Sequence, residues 1–240
     1  FTMTIIQFLQ KKIIRFLNSK RVLKLFFFYH KLFNNKGLKD IGFDFTKKKS
    51  RKFIIQDILE NQKYTSYLEI GCFDDELFAH VKVKNKIGVD PVSGGTIRLT
   101  SDQFFRENEK TFDLVFIDGL HTYHQVKKDI QNSLKFLNKN GIILLHDCLP
   151  NNFYEQATPR CQWTWNGDVW KAIVECRINK DLDVYTCYAD FGIGVIFKRP
   201  NKNLLNYQCK DFSKLKFEEY HKDPYHLMNI IEYEELKKII

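Results

Sequence analysis

The chain has 240 residues, 44% of them hydrophobic and 15% aromatic, and a formal net charge of +9. That composition excludes a disordered chain and is enough for one full α/β core with appendages. Nine of the 38 basic residues and none of the 29 acidic ones lie in residues 1–39. The remainder is balanced, so a nucleic-acid-binding catalytic face is not implied. Cysteines 72, 148, 161, 176, 187 and 209 form no C-x-x-C pair. They fit the free thiols of a reduced, intracellular protein rather than a disulfide framework.

Phe1 and Thr2, ahead of Met3, are set aside as a non-native addition. Ile5–Phe33 then has helical spacing: Ile5, Leu9, Ile13, Phe16 and Leu17 recur on one side, with Lys11, Lys12 and Arg15 between them. Leu23–Tyr29 is apolar apart from Lys24. The cations interrupt it too often for a secretory signal or a membrane span. Two readings stay open for this arm: packing on the domain or on a second subunit, or lying on an anionic membrane surface. Asn34–Gly37 ends it, Lys47–Lys52 is a solvated basic linker, and Phe53–Glu60 is a predicted helix.

Tyr67–Pro91 is the organising stretch. Tyr67–Ile70 is a short apolar run stopped by Gly71, as in a strand buried on both faces. Asp74–His80 is long enough for about two helical turns. Ile87–Val89 is a second buried strand, ending at Asp90. A βαβ unit with an acid about 20 residues after its first strand is how a ribose is held. The turn lacks G-x-G-x-x-G: only Gly71 is in place, and Asp74 and Asp75 would repel a phosphate. A phosphate-free, cationic nucleoside such as S-adenosylmethionine fits those carboxylates. The plainer reading is a βαβ unit with a surface acid at Asp90.

Thr96–Leu99 is a candidate third strand, and Ser101 a candidate cap for a helix whose first turn carries Asp102. That acid either faces an adenine amine or only decorates the helix start. Phe112–Ile117 is a buried strand broken by Asp118-Gly119, with His121 beyond. Val126, Ile130, Leu134 and Leu137 share one face of a helix predicted over Thr122–Leu137. After a turn at Asn138–Gly141, Gly141–Leu145 is another buried strand and runs into His146-Asp147-Cys148. If these strands are parallel neighbours, Asp118, His121, His146 and Asp147 converge on the ligand edge of the sheet. Leu149–Gly167, with Trp163 and Trp165, is long enough for a lid or binding loop. A helix over Asp168–Ile178 and a terminal hairpin of Asp183–Tyr188 and Gly192–Phe197 follow. Lys198–Ile240 is polar, then helical, with a helix start at Asp223-Pro224.

The ordered strings GVDP, GGT, SDQFF, FDLVFIDGLH, HDC and GDVWK, over about residues 53 to 198, resemble a bacterial branch of the class I S-adenosylmethionine-dependent methyltransferases. The resemblance implies a Rossmann-like, mostly parallel seven-stranded sheet with its last strand antiparallel. It divides the chain into an arm (1–46), a methyltransferase domain (47–200) and a C-terminal helical extension (201–240). It implies that Glu69 and Gly71 line the methionine end of the cofactor, Asp90 binds ribose, Asp102 or the Ser101 amide faces adenine, and Asp118 lies near the methionine and the acceptor. Some related catechol-type enzymes hold magnesium with acids at the positions of Asp118 and Asp147. Here Cys148 replaces the amide expected next to the second acid, and Phe73 the second glycine.

The function expected is methyl transfer, with a hydroxyl on a sugar, glycan precursor or other small molecule as acceptor. His121 or His146 would be the base, oriented by Asp118 or Asp147; alternatively Mg2+ or another divalent cation on those acids activates the acceptor. The rival readings are an N- or C-methyltransferase of a small metabolite, a membrane-associated methyltransferase-like module without turnover, and a nicotinamide-dependent oxidoreductase. Asp74 and Asp75 argue against the last of these. The protein is expected in the cytoplasm, either free or at the inner face of the membrane.

Overall fold

The computed structural model describes residues 12–13, 16, 19–34 and 37–240. Ile5, Leu9, Lys11, Arg15 and Leu17 of the arm lie outside the described residues, as does the Asn35-Lys36 part of the turn that ends it. In chain order the elements are α1 (Lys20–Phe33), α2 (Arg51–Asn61), β1 (Ser66–Ile70), α3 (Glu76–His80), β2 (Asn85–Val89), α4 (Ser101–Glu107), β3 (Phe112–Ile117), α5 (Tyr123–Lys135), β4 (Leu137–Leu145), α6 (Phe153–Gln156), α7 (Trp170–Arg177), β5 (Asp183–Cys187) and β6 (Ile193–Phe197). A 3₁₀ turn (Phe212–Lys214) then leads to α8 (Phe217–Lys222), α9 (Pro224–Met228), β7 (Ile230–Ile231) and α10 (Tyr233–Ile239).

The seven strands form one sheet in the order β2-β1-β3-β4-β6-β5-β7. Strands β2, β1, β3 and β4 are parallel neighbours, and β6 runs antiparallel to both β4 and β5. The chain leaves β1 toward β2 and returns on its other side at β3. That reversal opens a crevice beyond the carboxyl ends of β1 and β3.

Strand alternation sorts the core into two layers. Leu114, Phe116, Ile142 and Leu144 face α2, α3 and α10, where Ile54, Ile58, Phe78 and Leu236 pack. Val115, Ile117, Ile143 and Leu145 face α4, α5 and α7, where Phe104, Val126, Trp170 and Ile173 pack. Helices on both faces are why these strands are near-continuous apolar runs.

Several boundaries differ from the sequence expectation. Thr96–Leu99 makes only a single bridge, Val89 to Ile97, because Gly94 and Gly95, both left-handed, fold the chain back so that Thr96 and Ile97 donate to the Gly88 carbonyl. Strand β4 begins at Leu137, with a bulge opposite Phe112–Leu114, rather than after a turn ending at Gly141. The cap of α4 is Thr100, which forms a capping box with Gln103; Ser101 is the first helical residue. Helix α3 is five residues long, since Phe73 and Asp75 hold left-handed conformations in the turn before it.

The C-terminal extension is built into the fold. Strand β7 pairs with β5, and the Thr186 hydroxyl donates to the Met228 carbonyl at 2.8 Å. The buried Arg177 guanidinium donates to the carbonyls of His226, Leu227 and Asn203. Tyr220 packs on Trp170, and Leu236 is fully buried. Leu236→Ala is expected to cost about 2–4 kcal/mol with the unfolding transition remaining single. Urea denaturation checks it; a change under about 0.5 kcal/mol would mean that the extension is dispensable.

Candidate active site

Strands β3 and β4 lie side by side and in parallel, with Ile117 level with Leu145. Their next residues therefore emerge together at the ligand edge. Asp118 leaves β3 under a hydrogen bond from its amide to the Ile70 carbonyl. His146 leaves β4 with its amide on the Ile117 carbonyl, and Asp147 follows with a positive φ of 61°. A non-glycine residue held there is locally strained, which is common at functional sites. Gly71 has a positive φ of 89°, and a Cβ there would strike the Asp118 carbonyl and lie 2.7 Å from the Gly119 Cα. Only glycine lets the end of β1 approach β3 so closely.

The four predicted catalytic residues meet. His121 Nε2 lies 3.2 Å from Asp118 Oδ1, and its Nδ1 lies 3.1 Å from the Trp165 carbonyl and 3.2 Å from Asp147 Oδ2. His146 Nδ1 is 3.4 Å from Asp118 Oδ1 and 3.3 Å from Asp147 Oδ2. That atom is buried and makes no well-aligned hydrogen bond with either, so it is a polar atom short of a partner. His146 Nε2 faces Asp190 Oδ1 at 3.2 Å.

Three residues of this cluster were not singled out in the sequence. Asp190 sits in the β5–β6 turn, where Asp190, Phe191 and Gly192 are all left-handed. Arg51, the first residue of α2, gives its backbone N–H to Asp190 Oδ2 at 2.5 Å and its guanidinium to Asp190 Oδ1 at 3.2 Å, and lies 4.0 Å from Asp118 Oδ2. Asn166 donates to Asp147 Oδ1 at 3.1 Å. The only signals were the Asn166-Gly167 turn pair and the glycine after Asp190-Phe191.

The electrostatics follow from this geometry. Burial alone would lower both imidazoles. The hydrogen bond to Asp118 and the charge of Asp147 outweigh it at His121 and raise it above 6.5. The charges of Asp147 and Asp118 do the same at His146, well above that value. Burial would raise Asp118, but the two histidines hold it far below the usual carboxylate range. Both nitrogens of His121 face oxygen acceptors, so its ring is an imidazolium on geometry as well. Asp118, His121 and Asp147 also place one ligand atom each within 4.8 Å of one another, a spacing that a divalent ion can bridge.

A covering loop descends from Asn152 to Gly167. A Cβ at Gly167 would strike the His121 carbonyl. Trp165 stacks on the His121 ring with centroids 5.3 Å apart and bonds the Ala157 carbonyl through its indole N–H. Arg160 lies over the rings of both Trp165 and Trp163, and Trp163 is 77% exposed.

Around β1 and β2, Glu69 is buried and takes a hydrogen bond from the Tyr67 hydroxyl at 2.6 Å. Burial pushes its carboxyl up to about 7. Asp90 accepts the amides of Phe73, Val92 and Ser93 at 3.1, 2.7 and 2.8 Å. Asp75 accepts the Gly95 amide at 2.5 Å. Ser101 and Asp102 both accept from Gln125 Nε2 at 3.1 Å, and Lys128 lies 3.5 Å from Asp102, so their side chains address α5.

Residues 46–148 match the family model described as "Methyltransferase domain". The fold is similar to that of cofactor-bound Rv0187 from MTB, at 13% identity and a TM-score of 0.50, over 65% of this chain and 84% of that one. It is also similar to the SAH-bound Podospora anserina methyltransferase PaMTH1, with 16% identity, TM-score 0.48 and coverage of 77% and 97%. The Bacillus cereus O-methyltransferase in complex with SAH gives 12%, 0.46, and 75% and 100%. No curated protein matches the chain in sequence. Within residues 46–148 the chain is thus similar to a methyltransferase domain, and the solved structures share its fold.

A raised histidine stabilises the fold fully below its unfolded value of 6.5, and loses that contribution as pH rises through its folded value. The depressed Asp118 contributes above 3.8 and loses its part as pH falls. With a chelator present, His146→Gln is therefore expected to cost the most between those two values, about 3 kcal/mol. The deficit should shrink above neutrality. Urea denaturation across pH 4.5–9 measures it; a pH-independent deficit would remove the imidazolium from the account.

Proposed function

We propose that this enzyme transfers the methyl group of S-adenosylmethionine to a hydroxyl of a small molecule, most simply a sugar or glycan precursor. The observation carrying the reading is the meeting of Asp118, His121, His146 and Asp147 where β3 and β4 end. A hydroxyl gives up its proton on methylation, and that patch is built to hold and move protons. Trp163 and Trp165 support a flat-faced acceptor such as a sugar ring, with Trp165 already stacked against His121.

The residues fit the cofactor. Glu69 is a buried carboxyl that takes a hydrogen bond from the Tyr67 hydroxyl, and a methionine ammonium would supply its missing counter-charge. Asp90 spends three of about four lone-pair sites on backbone amides, which leaves room for one ribose hydroxyl. Asp74, Asp75 and Asp90 disfavour a pyrophosphate and suit a sulfonium-bearing ligand. Gly71 contributes by letting β1 close on Asp118 rather than by direct contact. The side chains of Ser101 and Asp102 are engaged with Gln125, so adenine recognition here falls to their backbone.

The donor set also fits a divalent cation, since two carboxylates, His121 and the unpartnered His146 Nδ1 surround one spot. Asp118, His121 and Asp147 would hold it. Once bound it would lower the acceptor's pKa. Without it, a histidine must first lose its own proton before taking one, and Asp118 and Asp147 fix which nitrogen does so. Alignment of acceptor and methyl supplies the larger share of the rate, on the order of 7–11 kcal/mol.

Asp90→Ala is expected to weaken S-adenosylmethionine binding by about 1.5–3 kcal/mol. Unchanged affinity by calorimetry would remove Asp90 from ribose recognition. His121→Ala should cut turnover about 10²- to 10⁴-fold in a methyl-release assay and leave cofactor affinity nearly intact. Equal losses in both would recast that histidine as structural.

A further inference from the structure

Helix α1 carries two apolar stripes. Leu23, Phe27 and His30 face the domain: Phe27 stacks on Tyr154 with ring centroids 4.4 Å apart, and His30 Nε2–H donates to the Pro159 carbonyl at 2.9 Å. His30 Nδ1 takes a hydrogen bond from Asn34 at 3.1 Å, so both ring nitrogens are used and the helix is pinned. Leu23 and His30 are buried. The opposite stripe is Leu25, Phe28, Tyr29, Leu32 and Phe33, at helical spacing i, i+3, i+4, i+7, i+8. All five are exposed, Leu32 and Phe33 to 74% and 72%. Lys20, Lys24 and Lys31 run along one flank of that stripe, and Arg21 lies within it.

A soluble helix with one partner needs one apolar face. The second face, this large and bordered by lysines, calls for a second partner. We propose that it docks on an anionic lipid bilayer, lying in the interface with the rings and leucines at the acyl boundary and the lysines on acidic headgroups. Charge decides between occupants. Residues 1–39 hold nine cations and no acid, so a second copy would set two strongly positive arms against each other, whereas an acidic surface neutralises them. No helix among the described residues is long and apolar enough to cross a membrane.

The orientation has a consequence for the enzyme. The domain-facing stripe is tied to Tyr154 and Pro159, in the loop that carries Arg160, Trp163 and Trp165 over His121. The bilayer and that loop are thus joined by one helix.

The test uses the full chain and sedimentation with vesicles. One set is pure phosphatidylcholine and the other contains about one-third phosphatidylglycerol. Binding is expected to the anionic set alone and to weaken at high salt. Leu25→Ser/Phe28→Ser/Leu32→Ser and Lys20→Glu/Lys24→Glu/Lys31→Glu should each reduce bound protein about tenfold or more, with an unchanged thermal midpoint. The lysine variant leaves every domain-facing residue in place, so it stands even if the apolar variant unfolds. Equal binding to neutral vesicles, or no binding to either set, overturns the proposal. So does a dimer in sedimentation velocity that the same substitutions abolish.

Discussion

The site rests on one balance of charge at the edge of the sheet. Asp118, Asp147 and Asp190, none of them more than 17% exposed, bring three formal negative charges to one patch. Arg51 and the imidazoliums of His121 and His146 bring three positive ones. Burying any of these groups alone would be costly, and their sum is what makes the patch tolerable. Arg51 is bonded to Asp190, Asp190 to His146, and His146 leans on both strand-end acids. Removing one member leaves the others unbalanced.

That balance bears on chemistry. A divalent ion on Asp118 and Asp147 would match in charge the two imidazole protons it displaced, so the patch would stay neutral in either state. A third state is open to neither: two free carboxylates beside two neutral histidines would leave a net negative charge in a buried place. A cation bound there would therefore compete with the protons for one seat. On the function proposed above, a hydroxyl acceptor entering this patch would meet either a cation or an acid–imidazolium pair, and either would stabilise an oxygen that is losing its proton.

The sequence carried the strands and their endings well. Buried parallel strands are short apolar runs, and an acid beyond such a run has to be at the ligand edge, which is why Asp118, His146 and Asp147 were readable together. The partners that complete the cluster were not. Arg51 stands in a run of lysines where its neighbours advertise solvent, and its role depends on Asp190, 139 residues away. Thr96–Leu99 has strand composition, but the left-handed Gly94-Gly95 pair commits it to a turn. Asp102 begins a helix as expected, while its direction was set by Gln125 on another helix. Local pattern determined each element; contacts distant in sequence determined which way its polar side chains point.

The turn after β1 shows how a degenerate motif can keep its backbone. Phe73 and Asp75 take left-handed conformations, with φ of 49° and 66°, at roughly 1–2 kcal/mol each for residues with a Cβ. What offsets this is the use made of the turn. The Phe73 amide is delivered to Asp90, and the Asp75 carboxylate to the Gly95 amide, so the β1 turn and the β2 loop fasten each other. Gly94 must be glycine for the same reason, since a Cβ there would sit 2.9 Å from both Phe73 O and Asp75 Oδ1. Glycines in the second loop thus make room for the first turn, and the cleft between β1 and β2 carries the Asp75 carboxylate. A cleft lined with carboxylates in this way disfavours phosphate-bearing nucleotides more strongly than a glycine-rich turn would, and suits a ligand of positive charge.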